Sequence, residues 1–255
     1  VTDAMPESDR ELRARRAASF GATASAYAEH RPDYPVAAVR WGLPDIPVRH
    51  VLDLGAGTGK LTEGLLSLGT RVTAVEPDHQ MRAELVRRFP EVPAYSGTAE
   101  RIPLGDAEVD AVFAGQAFHW FDVEPALTEI ARVLRPGGTV VALWNHDDDS
   151  VPWVAEFVRR VRPGASRGPS TESAELPGHP DFRPFERSRF PHAQRRTAAT
   201  LIETVSTHSH VLVAEPRQRE AVLRTAREFL ASRPETANGE FDLPLVTIAI
   251  RAVRR

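Results

Sequence analysis

The chain of 255 residues contains no cysteine and one lysine, Lys60. Without thiols it can form no disulfide, no Cys-ligated zinc site and no thiol nucleophile. No apolar run approaches the ~18 residues of a membrane span, and the polar, Arg-rich N-terminal stretch lacks the apolar centre of a signal peptide. These absences lead to the expectation of a cytoplasmic protein that does not contact membranes. An excess of either charge is missing too. Lys and Arg number 32 against 35 acidic residues, a net charge of -3, which gives no global electrostatic reason to bind nucleic acid. A hydrophobic content of 42% is enough for one large domain with a real core.

Residues 51–59, Val-Leu-Asp-Leu-Gly-Ala-Gly-Thr-Gly, run an apolar strand into three glycines spaced G-x-G-x-G. Glycine has no Cβ and tolerates φ > 0, so such a turn brings backbone close to a ligand. Thr58 is placed to cap a following helix. The dinucleotide fingerprint needs its third glycine one position later, where Lys60 stands. Asp53 would repel a phosphate, but it suits a ligand that carries an ammonium group and no phosphate. That combination points to S-adenosylmethionine. Glu76 ends the next strand, where a carboxylate can accept both ribose hydroxyls. Its competing role is a carboxylate at a helix N-terminus ahead of Pro77.

Residues 1–10 are expected to be a disordered tail. Residues 11–48 form a helical arm or lid, interrupted by Arg31-Pro32-Asp33-Tyr34-Pro35, with a second helix at 35–42. The main domain spans 49–255. Strand patterns at 50–54, 71–76, 92–96, 109–114 and 139–144 alternate with helical patterns at 59–68, 78–89 and 124–134. This alternation argues for an α/β fold, a parallel sheet with helices on both faces. Beyond Asn145 the rhythm changes to helices at 151–161, 197–204 and 215–231, with strands at 185–190 and 245–253. The segment 162–180, rich in Pro, Gly and Ser, is expected to be a mobile loop that closes on substrate.

The motifs Asp53-Leu54-Gly55-Ala56-Gly57-Thr58-Gly59, Val75-Glu76-Pro77-Asp78 and Leu134-Arg135-Pro136-Gly137-Gly138 resemble those of class I S-adenosylmethionine-dependent methyltransferases. The residues 27–35, Gly97-Thr98-Ala99-Glu100, Gln116-Ala117-Phe118-His119-Trp120-Phe121, and 204–209 further resemble the trans-aconitate-methyltransferase-like branch. The resemblance covers about residues 20–251. It implies a doubly wound, Rossmann-like, mostly parallel sheet of seven strands with an antiparallel last strand. It also implies that Asp53, Gly55, Ala56, Gly57 and Gly59 hold the methionine end, with Glu76 on the ribose. Pro77, Asp78 or His79, and Met81 would flank the adenine, although a methionine at helical spacing is equally a core residue. Thr98 stands where many relatives carry an aspartate, so the Ala99 N–H would read the adenine, with Glu100 beside it. Gln116 would lie along the methionine portion, and Tyr27 and Arg31 would fold over the cofactor.

Methyl transfer from a sulfonium is an in-line displacement in which the cofactor carries the reactive group. His119 is the sharpest catalytic candidate, and three roles stand open for it: base, hydrogen-bond donor to the acceptor, or loop packing. Tyr34, His119, Trp120, Trp144 and Asn145 are the expected substrate residues. Asp147, Asp148 and Asp149 are read as solvated acids and no metal site is expected, because three adjacent carboxylates cannot converge on a cation alone. Arg195 and Arg196 are read as a solvated pair. The expected partner is a small-molecule acceptor, methylated on a carboxylate or hydroxyl oxygen, for a monomer or homodimer that yields S-adenosylhomocysteine. The alternatives are transfer to nitrogen or carbon, or cofactor binding without transfer.

Overall fold

A computed structural model describes residues 32–161, 176–212 and 214–255. The tail, the first arm helix, Tyr27, Arg31 and most of the 162–180 loop lie outside the described residues. The chain order is α1 (Val36–Gly42), β1 (His50–Leu54), α2 (Lys60–Leu66), β2 (Arg71–Val75), α3 (His79–Arg88), β3 (Ala94–Tyr95) and β4 (Val109–Gly115). There follow a 3-10 turn (Phe118–Trp120), α4 (Val123–Val133), β5 (Leu134–Asp147), α5 (Pro152–Val161) and β6 (Glu186–Thr197). The last elements are α6 (Ala198–Ser206), α7 (Ser209–Leu212), α8 (Pro216–Ala231) and β7 (Glu240–Val253).

The strands form one sheet in the order β3-β2-β1-β4-β5-β7-β6. Neighbouring strands from β3 to β5 pair in parallel, and β7 runs antiparallel between β5 and β6. All five residues of β1 are buried, as befits a central strand covered on both faces. Leu52, Leu54, Val112 and Ala114 join an apolar cluster with Leu127 and Ile130 of α4. Val51, Ala111 and Phe113 join a second cluster on the other face with Val39 of α1, Leu61 and Leu65 of α2, and Leu85 of α3. Gly42 lets α1 approach this second face, since a Cβ there would fall 2.8 Å from Phe113 and Val141.

Three expectations need correction. β3 keeps only two residues of the expected 92–96, because the chain pairs with β2 only at Ala94 and Tyr95. β6 and β7 are both longer than expected and pair continuously from Glu186↔Arg251 to Thr197↔Glu240. β5 stops pairing with β7 at Asp147↔Leu245, so the far part of the β6–β7 ribbon runs on past the sheet. A third apolar cluster gathers on this ribbon, with Phe157 of α5, Leu201 and Val205 of α6, Phe229 of α8, and Phe241 and Leu243. It caps the carboxyl end of the sheet. Finally, Thr58 does not cap α2. Gly59 is the N-cap, at φ +87°, and the Thr58 hydroxyl is buried without a hydrogen-bond partner among the described residues.

Candidate cofactor and acceptor cleft

In a doubly wound sheet the crevice opens beyond the strand carboxyl ends where the strand order reverses. Here β1 lies between β2 and β4, and a cavity opens above their ends. Its inner wall is Asp53, Gly55, Ala56, Gly57, Thr58 and Gln116. The three glycines of the turn have φ of +69°, +56° and +87°. At Gly55 a Cβ would also stand 2.7 Å from that of Ala117, so the turn is closed to any side chain there.

Asp53 is fully buried. Its Oδ2 accepts from the Thr62 hydroxyl at 2.6 Å, while Oδ1 has no hydrogen-bond partner among the described residues. Burial, assisted by the nearby negative charge of Glu76, pushes its carboxyl from the usual 3.8 up to about 7. Glu76 is 7% exposed, and burial raises its pKa as well. Its two oxygens accept from the backbone N–H groups of Gly57 and Asp78, each at 2.8 Å. Glu76 therefore ties the glycine turn to the start of α3, which Asp78 caps by accepting from the Gln80 and Met81 N–H groups at 2.9 Å. Both readings offered for Glu76 draw on this one position.

Met81 is buried and packs beneath the turn, 3.4 Å from where a Gly57 Cβ would be. Ala99 is buried beside an exposed Thr98. Glu100 accepts from the Asp122 N–H at 2.8 Å, ahead of α4. Gln116 sits at φ +53°, a conformation that side chains rarely adopt. Its N–H donates to the Leu143 carbonyl and its Nε2 to the Asn145 carbonyl, both at 2.8 Å.

His119 and Trp120 do not line this cavity. His119 is exposed, packs at a tilt against Trp120 with ring centroids 4.7 Å apart, and accepts at Nδ1 from the Trp144 indole N–H at 3.4 Å. Trp144 is 5% exposed and belongs to the first apolar cluster. Tyr34 and Asn145 do line the cavity. Asp148 accepts from the N–H and hydroxyl of Ser150 in the turn before α5, whereas Asp147 reaches the cavity wall.

The outer wall was mostly missed by sequence reasoning. It includes Phe157, Arg196, Leu201, Val205, His208 and Leu245. Arg196 corrects the reading of a solvated pair. Successive residues of β6 face opposite ways, so Arg195 points outward to Glu240 and Asp242 at 3.3 and 3.4 Å, while Arg196 is 6% exposed inside the cavity. Burial lowers the pKa of Arg196, opposed by the charge of Asp33. The sequence pattern predicts a helix at 197–204, close to α6, but nothing local in the sequence signals that this helix walls the cleft.

A glycine turn and two buried carboxylates at the switch point of a parallel sheet define a Rossmann-like binding fold, and relatives make the class specific. The methyltransferase domain family matches over residues 52–142. An uncharacterized methyltransferase of Mycobacterium bovis is 40% identical over 92% of this chain and 95% of its own. The malonyl-[acyl-carrier protein] O-methyltransferase of Enterobacter lignolyticus is 32% identical over 67% of this chain and 68% of its own. A solved structure from Anaeromyxobacter dehalogenans, assigned as a type II methyltransferase, matches with a TM-score of 0.62 at 26% identity over 88% of this chain and 97% of that one. The chain belongs to the class I S-adenosylmethionine-dependent methyltransferases.

Proposed function

We propose that this enzyme transfers the methyl group of S-adenosylmethionine to a carboxylate or hydroxyl oxygen of a small-molecule acceptor. One observation carries this reading: a single cavity runs from Asp53 and the glycine turn out to Arg196 and the apolar cap. The residues at the inner end fit the cofactor. Asp53 Oδ1 and the Thr58 hydroxyl are buried polar atoms without partners among the described residues, suited to the ammonium and carboxylate of the methionine portion. The backbone at Gly55 and Gly57 is bare enough for close approach. Glu76 is not itself in the cavity lining; it stands behind Gly57, whose N–H it holds, and this places its carboxylate on the side of the turn assigned to the ribose. When bound, the cofactor supplies an electrophilic methyl carbon.

The chain's part is alignment and exclusion of water. Alignment contributes up to ~7–11 kcal/mol in well-oriented cases. An ionised carboxylate needs no base, and so makes no demand on His119, which turns toward Trp144 outside the cavity. For a hydroxyl acceptor, His146 and His208 are the cavity-lining imidazoles. The buried guanidinium of Arg196 favours an anionic group, and Phe157, Leu201, Val205 and Leu245 favour an apolar body. The O-methyltransferase relative supports oxygen as the acceptor atom.

Calorimetric titration with S-adenosylhomocysteine, followed by methylation of a panel of carboxylic acids and phenols, tests both halves. Each charge-assisted bond to the ribose is worth roughly 1.5–3 kcal/mol, so Glu76→Ala is expected to weaken binding about tenfold to a few hundredfold. Arg196→Met is expected to raise KM for an acid acceptor at unchanged cofactor affinity. Absence of binding by the wild type would remove the cofactor assignment. Methylation confined to nitrogen or carbon acceptors would remove the oxygen one.

A further inference from the structure

The wall of the cavity formed by Pro32 and Tyr34 belongs to the arm, and it is held from two sides. On one side Lys60, the first residue of α2, donates to Asp33 Oδ1 at 2.8 Å. On the other, Asn145 Nδ2 donates to the carbonyls of Pro32 and Asp33 at 3.3 and 3.1 Å. The Tyr34 ring closes the gap by resting on Gly115, where a Cβ would be 2.6 Å from its hydroxyl.

The Asn145 amide is oriented from behind. Its Oδ1 accepts from the Thr247 hydroxyl at 2.5 Å, and Thr247 Oγ1 lies 3.0 Å from His192 Nε2. A hydroxyl has one proton to give. Thr247 gives it to Asn145, so His192 must donate through an Nε2–H. A flipped Asn145 would turn its carbonyl oxygen on two other carbonyls, so the direction of the whole row is fixed: His192 to Thr247 to Asn145 to the arm. The row crosses three strands on one sheet face, because Asn145 pairs with Thr247, Thr247 pairs with Phe190, and His192 is two residues along from Phe190. Thr247 is fully buried, and burial lowers the pKa of half-buried His192, leaving it neutral near pH 7. Neither residue lines the cavity. The Asn145 carbonyl meanwhile receives Gln116, so one residue links the cofactor wall to the arm.

We propose that Thr247 and His192 are positioning residues that hold the Pro32–Tyr34 wall over the cofactor through Asn145, and so set how long the cofactor stays bound. The proposal rests on the reading of the cavity as the S-adenosylmethionine site. Its test is Thr247→Val, which keeps the shape and removes the hydroxyl, alongside Thr247→Ser. Two quantities are measured on the full chain: hydrogen exchange of the peptide spanning residues 32–40, and the dissociation rate of S-adenosylhomocysteine. In Thr247→Val the loss of one buried hydrogen bond is expected to speed dissociation and arm exchange about tenfold, while exchange in β1 and β4 stays at the wild-type rate. Thr247→Ser restores both. Wild-type exchange and release in Thr247→Val would overturn the proposal, as would failure of the serine to rescue. If the wild type bound no S-adenosylhomocysteine, the cofactor reading would fall, and the residence-time claim with it. The exchange comparison would still read the latch separately.

Discussion

Asp53 sets a fully buried acid against the stability of the unliganded fold. Its folded pKa of about 7 lies above the ordinary 3.8, so the folded state holds a proton that the unfolded chain has already lost. The stability this provides is complete below about pH 4 and is lost as pH rises through about 7, on the order of 4 kcal/mol in all. Asp53→Asn is therefore expected to raise the melting temperature of the unliganded protein at pH 8. The same change removes the partner proposed for the cofactor's ammonium, so affinity for S-adenosylhomocysteine should fall at least about tenfold. In the wild type that affinity should weaken below pH 7, whereas in the asparagine variant it should be flat in this range. Calorimetry between pH 5.5 and 8 reads both slopes. A variant that is neither more stable nor weaker in binding would mean that Asp53 serves only Thr62.

At the scale of elements, Asp110 fastens the start of β1. Its Oδ2 accepts from the N–H groups of Arg49 and His50 at 2.7 and 2.9 Å, and its Oδ1 from Arg135 at 2.6 Å. Burial alone would raise its pKa, but these backbone bonds and the guanidinium hold it below the ordinary value. The stabilisation is present above the unfolded pKa and is lost as pH falls through the folded one. Asp110→Ala, measured by urea denaturation at pH 7, is expected to lose about 2–4 kcal/mol, and the gap to the wild type should narrow below pH 4. The strands this clamp joins were readable in the sequence. β1, β2 and β4 are covered on both faces, so each is buried almost throughout and shows a mostly apolar stretch without in–out alternation, broken only by single polar residues such as Asp53, Thr73 and Asp110. β6 was half-missed because it is an edge strand, with Pro191 in its middle and arginines on its open side. Overlooking its length meant overlooking the ribbon that carries the cap. The inner wall of the cleft follows from a local motif, and the outer wall from strand pairing that no local pattern encodes.

Among the described residues the molecule has three apolar clusters, two sandwiching the sheet and one in the cap. The cofactor turn depends on the first two and the outer cavity on the third. Phe229 is 2% exposed, stands 5.7 Å from Phe157 between ring centroids, and has no part in the sheet clusters. Phe229→Ala should cost about 3–5 kcal/mol of local stability. It is expected to raise hydrogen exchange throughout α5, α6 and α8 and to depress acceptor turnover, with S-adenosylhomocysteine affinity close to wild type. Equal loss of cofactor binding would show instead that cap and sheet unfold as one unit.

Lys60 brings a practical consequence. The one lysine of the chain sits at the mouth of the cleft, its side chain 16% exposed and engaged by Asp33. An acylating reagent therefore finds a single ε-amine, located where the arm meets α2. Its labelling rate becomes a stopwatch for the opening of the cleft, with no reporter residue to engineer. Any cellular acyl transfer to a lysine of this chain would fall on the same contact with Asp33.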